Sequence, residues 1–250
     1  MQHDLPYPNL PDHNVGLVLV KNEIATVKAL EALGIRVLSP ERHPLLPAEV
    51  AEHADMLCCC IAAGQCVVEP GQTKLKAALE ALGFTVYFSR PLQKDYPGDV
   101  VLNVALAGEY AIGNFRYADQ NILNGLNNKK RINIRQGYAK CSLCIVSENT
   151  FITEDTGVAK ALRENGMNVL LISPGDVYLS EEHSGFLGGA TGKLSRNRLA
   201  INGSLSRHRD GERIRDFLLK NGVEPVELFP GRIQDIGGII PLKEEQICTP

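Results

Sequence analysis

The stretch Ala29-Leu-Glu-Ala-Leu-Gly34 recurs letter for letter as Ala78-Leu-Glu-Ala-Leu-Gly83. Each copy closes a helical pattern. In Ile24–Leu33 apolar residues return at helical spacing (Ile24, Val27, Leu30, Leu33), and Leu75–Leu82 behaves likewise. Gly34 and Gly83 stand where a helix ends on a left-handed residue. A short strand pattern comes after each, Ile35–Leu38 and Phe84–Phe88. The same helix, cap and strand can be read in Val158–Gly166 with Met167–Ile172, and in Arg213–Gly222 with Val223–Phe229. A degenerate copy is Gln120–Asn128 with Arg131–Ile134.

A strand also precedes each helix: Gly16–Val20, Cys66–Glu69, Tyr110–Phe115, Phe151–Thr153 and Leu199–Asn202. Three of these lie just past another apolar run and a tight turn. Met56–Ala62 turns at Ala63–Gln65, Val100–Leu106 at Ala107–Glu109, and Cys141–Ser147 at Glu148-Asn149. Apolar runs split by turn residues read as hairpins. The fourth run is Gly185–Leu194, and the fifth lies near the far end of the chain, Ile236–Leu242, to be paired with Gly16–Val20. The unit is strand–turn–strand–helix–strand, used five times, with one unit shared between the termini. The expected fold is α/β, a five-bladed, pseudo-fivefold propeller over residues 15–242, with an arm at 1–14 and a tail at 243–250. A doubly wound parallel sheet would also alternate helices with strands, but it does not account for the hairpins.

Composition narrows the function. The chain has 250 residues, 44% of them hydrophobic, no tryptophan, and a net charge of −3. An aliphatic core is implied, and there is no basic footprint for nucleic acid; Lys129-Lys-Arg131 reads as a solvated helix end. No apolar run reaches the ~20 residues of a membrane span, and the first residues lack the pattern of a secretion signal. Seven cysteines without framework spacing fit a reducing cytoplasm. No metal, nucleotide or other cofactor is expected, and the sequence sets no oligomeric state.

If the units close into a ring, the first strand of each lines a central channel. Aligned by their turns, the residues just before these strands are Asp55, Asp99, Lys140, Ser184 and Asp235; four positions on come Cys59, Asn103, Cys144, Gly188 and Ile239. Three carboxylates and one ammonium at one level would favour a cationic ligand, since such groups are seldom buried unpaired. The bland reading is turn residues facing solvent.

With this architecture the chain resembles the pentein superfamily of guanidino-group-modifying enzymes, the amidinotransferases, arginine deiminases and dimethylargininases. Pro97-Gly-Asp-Val-Val-Leu102 with Tyr110-Ala-Ile-Gly113 is similar to that family's Gly-Asp strand and its partner. The resemblance implies a cysteine thiolate attacking a guanidinium carbon, a histidine acid/base, and carboxylates holding the substrate. Here Tyr138 stands where the histidine would, in Gln136–Lys140, and isoleucine replaces the nucleophile in Asp235-Ile-Gly-Gly-Ile-Ile240. Tyr96 replaces an acidic residue, while Asp99 and Asp235 remain as ligand-holding carboxylates. A tyrosine of pKa ~10 serves poorly as acid/base near neutral pH, so the family's own mechanism is expected to be absent.

The chain offers other candidates. Cys144, facing the channel with Lys140 to lower its pKa, is the expected nucleophile if one exists. Cys248 is a second candidate, against the bland reading of a loose terminus. Cys141-Ser-Leu-Cys144, read inside a strand, should send its two sulfurs to opposite faces. Cys58-Cys-Cys60 reads as core packing with Cys59 toward the channel. Gly188–Lys193 fails as a phosphate loop because Leu187 and Leu194 replace the required residues, though Lys193 remains a ligand candidate. Arg116 is a candidate for a substrate carboxylate. Thr153–Gly157 reads as a helix cap, and His208 as a solvated loop residue. The expected role is binding, in the central channel, of a small cationic or amino-acid-like ligand by Asp55, Asp99, Asn103, Arg116, Tyr138, Lys193 and Asp235. The alternatives are an active amidinohydrolase or amidinotransferase using a non-standard cysteine, and a non-catalytic protein-interaction module.

Overall fold

A computed structural model describes residues 2–245; Cys248 lies outside the described residues. In chain order the elements begin with β1 (Gln2–Asp4), β2 (Val15–Leu19), α1 (Ile24–Ala32) and β3 (Arg36–Leu38). Next come α2 (Ala54–Leu57), β4 (Cys58–Ala62), β5 (Gln65–Val68), α3 (Thr73–Ala81) and β6 (Thr85–Phe88). They are followed by β7 (Ala105–Ala107), β8 (Tyr110–Gly113), α4 (Gln120–Gly125) and β9 (Lys130–Asn133). Then β10 (Cys144–Ser147), β11 (Thr150–Thr153), α5 (Thr156–Glu164) and β12 (Asn168–Leu171) precede β13 (Thr191–Ser195), β14 (Arg198–Ile201), α6 (Gly211–Lys220) and β15 (Glu224–Glu227). β16 (Ile240–Glu245) comes last.

The described strands form five small sheets, ordered β1-β16-β2-β3, β4-β5-β6, β7-β8-β9, β10-β11-β12 and β13-β14-β15. None is itself a closed barrel. In every sheet the leading strand pairs antiparallel with the second, and the second pairs parallel with the strand after the helix. β16 is the leading strand for β2, so the last described strand completes the first sheet.

The glycine caps are as read. The amide of the residue after Gly34, Gly83, Gly166 and Gly222 bonds back to the carbonyl of Leu30, Leu79, Leu162 and Leu218. All four glycines have φ between 71° and 88°, where a side chain is costly. The four leucines are fully buried, which fixes each helix against its sheet.

Two boundaries differ from expectation. The arm at 1–14 contributes β1, which pairs with β16, and β16 runs to Glu245 rather than stopping at residue 242. The leading strands also start late. Residues 54–57 form a helical turn, 188–190 a 3-10 turn, and Val100–Val104 and Lys140–Leu143 lie outside strands. These lead-in segments satisfy their backbone groups with one another instead of with a ladder.

Their bonds pass from segment to segment. Asn103 Oδ1 accepts from the amides of Lys140 (2.7 Å) and Cys141 (3.3 Å). The carbonyl of Cys141 accepts from Gly189 N–H, and the carbonyl of Gly189 from Ile236 and Gly238. The carbonyl of Gly237 accepts from Asp55 N–H, and Asp55 O from Asn103 Nδ2 at 3.2 Å. Five segments, one leading into each sheet, are thereby joined and the path returns to its start. The apolar clusters trace the same neighbours: one unites β4 and β5 with Leu102 and Leu106, another unites β10 and β11 with Leu187, Ala190 and β14, and a third unites β2 and β16 with β4 and β5.

Asn103 is the one side chain that both donates and accepts across this path. Asn103→Ala leaves two buried amides unpartnered, at about 1–3 kcal/mol each at most. The variant is expected to lose about 2–3 kcal/mol of unfolding free energy in urea titrations; a loss under ~0.5 kcal/mol would mean that water replaces the amide.

Candidate functional site

The lead-in segments carry a buried cluster of polar groups: His53, Asp55, Asn103, Lys140, Cys141 and Asp235, each under one-tenth exposed. Asp55 lies in α2, two residues after His53, and its carboxylate faces across to Cys141, whose thiol donates to Oδ2 at 2.9 Å. Asn103 Nδ2 lies 3.2 Å from the same sulfur. Asp235 is held by two backbone amides, Gly237 N–H on Oδ1 (3.0 Å) and Phe186 N–H on Oδ2 (2.9 Å). His53 Nδ1 is 3.7 Å from Asp235 Oδ1. A Cβ on Gly189 would fall 2.0 Å from Asp235 Oδ1, and one on Gly238 3.3 Å from Lys140 Nζ. Glycine at these positions lets the backbone close on the charged groups.

Burial dominates the electrostatics. It pushes Asp235 up to about 7, with Asp55 adding repulsion. It raises Asp55 as well, partly offset by Lys140 and the Cys141 thiol. Glu154 also rises to about 7 by burial; Leu187 N–H, donating to Oε1 at 3.0 Å, pulls the other way. His53 is held down at about 3 by burial and by Lys21. The His53–Asp235 approach at neutral pH is therefore between an uncharged imidazole and a carboxyl near its midpoint, not an ion pair. Cys141 is raised well above the ordinary thiol range by burial, then by Asp55 and Asp235, so it is a thiol that donates rather than a ready thiolate.

Asp99 sits beside this cluster. Tyr138 Oη donates to its Oδ2 at 2.6 Å, and burial, then Asp99, raises the phenol. The half-exposed Tyr96 ring lies 6.2 Å from the Tyr138 ring and 5.7 Å from that of Tyr117. Asp55 Oδ1 and Asp99 Oδ1 are buried without a partner.

The residues expected at the site divide. Asp55, Asp235, Lys140 and Asn103 meet, and Asp99 with Tyr138 adjoins them. Asn103 is consumed by its own chain's groups and acts as a linker. Ser184, expected at the same level, is exposed. Lys193 is buried but donates to the carbonyls of Val146 (3.1 Å) and Arg196 (2.7 Å), at the turn end of β13. It is lowered to about 8 by burial and is held away from the lead-in segments. Arg116 is exposed over the Tyr117 ring at 5.8 Å. Cys144 is fully buried among apolar residues, and burial lifts it to about 11 although Thr191 and Lys140 pull it down; Lys140 does not make it a nucleophile. Cys59 packs with its sulfur near the Val104 carbonyl. His208 is buried rather than solvated, its Nδ1 accepting from Asp210 N–H at 3.0 Å.

Cys141, His53 and Glu154 were missed. Cys141 precedes the strand, so strand alternation does not govern its direction. In the supposed cap, Asp155 does cap α5, accepting from Val158 N–H, whereas Glu154 turns inward. A histidine two residues before an aligned aspartate was the available signal for His53.

Five sheets of this one pattern, with acidic groups gathered where their leading segments meet, give the chain a fold similar to that of solved pentein structures. Solved structures of the same fold include an inosamine-phosphate amidinotransferase from Streptomyces griseus, 9% identical with TM-score 0.58 over 97% of this chain and 98% of that one. DDAH from Pseudomonas aeruginosa, complexed with citrulline, is 12% identical with TM-score 0.55 over 90% and 96%. Agmatine deiminase from C. jejuni is 9% identical with TM-score 0.53 over 91% and 90%. At such identities the likeness is one of fold. Within that fold, the chain belongs to the family of unknown function DUF6873, which matches residues 19–240. No curated protein sequence matches it. Among the described residues no helix is long and apolar enough to cross a membrane.

Asp235 supplies a pH test. Its folded pKa of about 7 lies above its ordinary 3.8, so the folded state binds more protons than the unfolded state between those values. Its contribution to stability is full below about 4 and is lost as pH rises through about 7. Asp235→Asn removes that loss. The wild-type chain is expected to weaken relative to the variant by a few kcal/mol, as an order of magnitude, between pH 4 and 8. Parallel pH profiles of the two would contradict the assignment.

Proposed function

We propose that the five sheets are the blades of a closed propeller and that the cluster at their convergence binds a small cationic ligand of the guanidino or amino-acid class. The closure is supported by the returning path of hydrogen bonds and by the apolar clusters that unite neighbouring sheets. The observation that carries the ligand reading is the pair of partnerless buried acceptors, Asp55 Oδ1 and Asp99 Oδ1. Buried polar atoms are nearly always satisfied. A guanidinium is planar and carries five N–H donors with no acceptor, which suits several carboxylate oxygens presented together. The fold relatives act on guanidino groups, which is consistent with this ligand class.

The chain's own groups determine how the cluster responds to a bound cation. Burial raises Asp55 and Asp235; an incoming cation would lower both carboxyls. The same cation would lower Cys141, the thiol nearest Asp55. The family's usual cysteine and histidine positions hold isoleucine and Tyr138, so the reading is binding, with Lys140 setting the resting charge and Tyr138 and Tyr96 flanking the approach to Asp99. A cytoplasmic setting and a soluble small-molecule partner, rather than nucleic acid or membrane, belong to the same reading; the six described cysteines, all free, accord with a reducing compartment.

A thermal-shift screen with arginine, agmatine, methylated arginines, citrulline, creatine and polyamines tests this. A cationic member is expected to raise the melting temperature of the parent and to lose most of that effect in Asp99→Asn and Asp235→Asn; at a hundredfold excess over Kd the linkage is worth about 2.7 kcal/mol. A ureido or amine product that disappears in Cys141→Ala would extend the reading to catalysis. No shift with any cationic compound would overturn it in favour of a protein-interaction role.

A further inference from the structure

Cys58, Cys60 and Cys66 take no part in the central cluster. Cys58 and Cys60 are alternate residues of β4, so their side chains leave one face of the sheet. Cys66 on β5 is the registered partner of Cys60, and their sulfurs are 2.8 Å apart. All three sulfurs lie within 4.8 Å of one another. Their surroundings are apolar, including Leu17, Leu19, Leu75, Leu79 and Phe84. The most open of the three, Cys60, is 9% exposed.

Packing alone asks for volume, and single buried cysteines supply it elsewhere, as Cys59 and Cys144 do. Convergence of three sulfurs is a different property. Around a cation with metal–sulfur bonds of ~2.3 Å, sulfurs stand roughly 4 Å apart, within the reach of this trio. Thiolate sulfur selects soft and borderline metal ions over hard ones.

A metal ion takes the thiolate form of cysteine, so a divalent cation held by the three sulfurs displaces thiol protons into solvent.

We propose that Cys58, Cys60 and Cys66 form a site for one divalent thiophilic cation of the zinc type, held by three sulfurs. The ion would tie β4 to β5. A second group of donors, His3, His13 and Glu244, also lies within 4.8 Å of one another and offers nitrogen and oxygen instead, so the test must tell the two apart.

The full, untagged chain is reduced and titrated with Cd(II), then with Zn(II). The expected result is an ultraviolet sulfur-to-metal charge-transfer band that saturates at one equivalent with release of protons. X-ray absorption of the zinc-loaded wild type should give a first shell of three sulfurs at about 2.3 Å; this readout needs no substitution. The triple variant Cys58→Ala, Cys60→Ala, Cys66→Ala should lose the band. A shell of nitrogen and oxygen only, no binding by the reduced chain, or an unchanged band in a folded triple variant would each overturn the proposal.

Discussion

Five segments of backbone that belong to no strand have to find hydrogen-bond partners in one another, and everything else in the molecule is arranged around that requirement. Each sheet has only three or four short strands, and a sheet so small is marginal alone. Its leading strand is fed by a segment with polar backbone turned toward the centre. The Asn103 amide, the Gly189 carbonyl and the Gly237 carbonyl satisfy these groups by linking one segment to the next. The side chains of the same segments are carried inward as a result. A dry group of acids, a lysine, a histidine and a cysteine is the consequence of solving a backbone problem.

That consequence has an electrostatic cost. Asp55, Asp235 and Glu154 are all raised by burial, and Lys140 is the one lysine among the groups described at the centre. His53 is kept neutral and Cys141 is kept as a thiol by the same lack of water.

The helices, their glycine caps and the second strands were legible because they rest on local rules: helical spacing, a left-handed terminus, and a buried leucine four residues before the cap. Alignment by turns also brought Asp55, Lys140 and Asp235 together correctly. It failed where a residue's direction depends on another segment. Strand alternation was extended back to Cys141, which is not in a strand, so the wrong sulfur was sent inward. Lys193 lies on a true strand but bonds to carbonyls of a neighbouring turn, which no pattern along the chain records. The meeting of Cys66 with Cys58 and Cys60 is likewise a matter of register between strands, although the partners were all visible as letters.

β2 is buried at every one of its five residues, and its antiparallel neighbour is β16. During synthesis β2 leaves the ribosome long before β16, the strand that covers its open edge, has been made. An apolar edge of this kind invites pairing with another chain while it waits. The nascent protein must therefore shelter Val15–Leu19 until β16 has been made. The sheet that joins the two ends of the described chain is the step at which its biogenesis is most exposed.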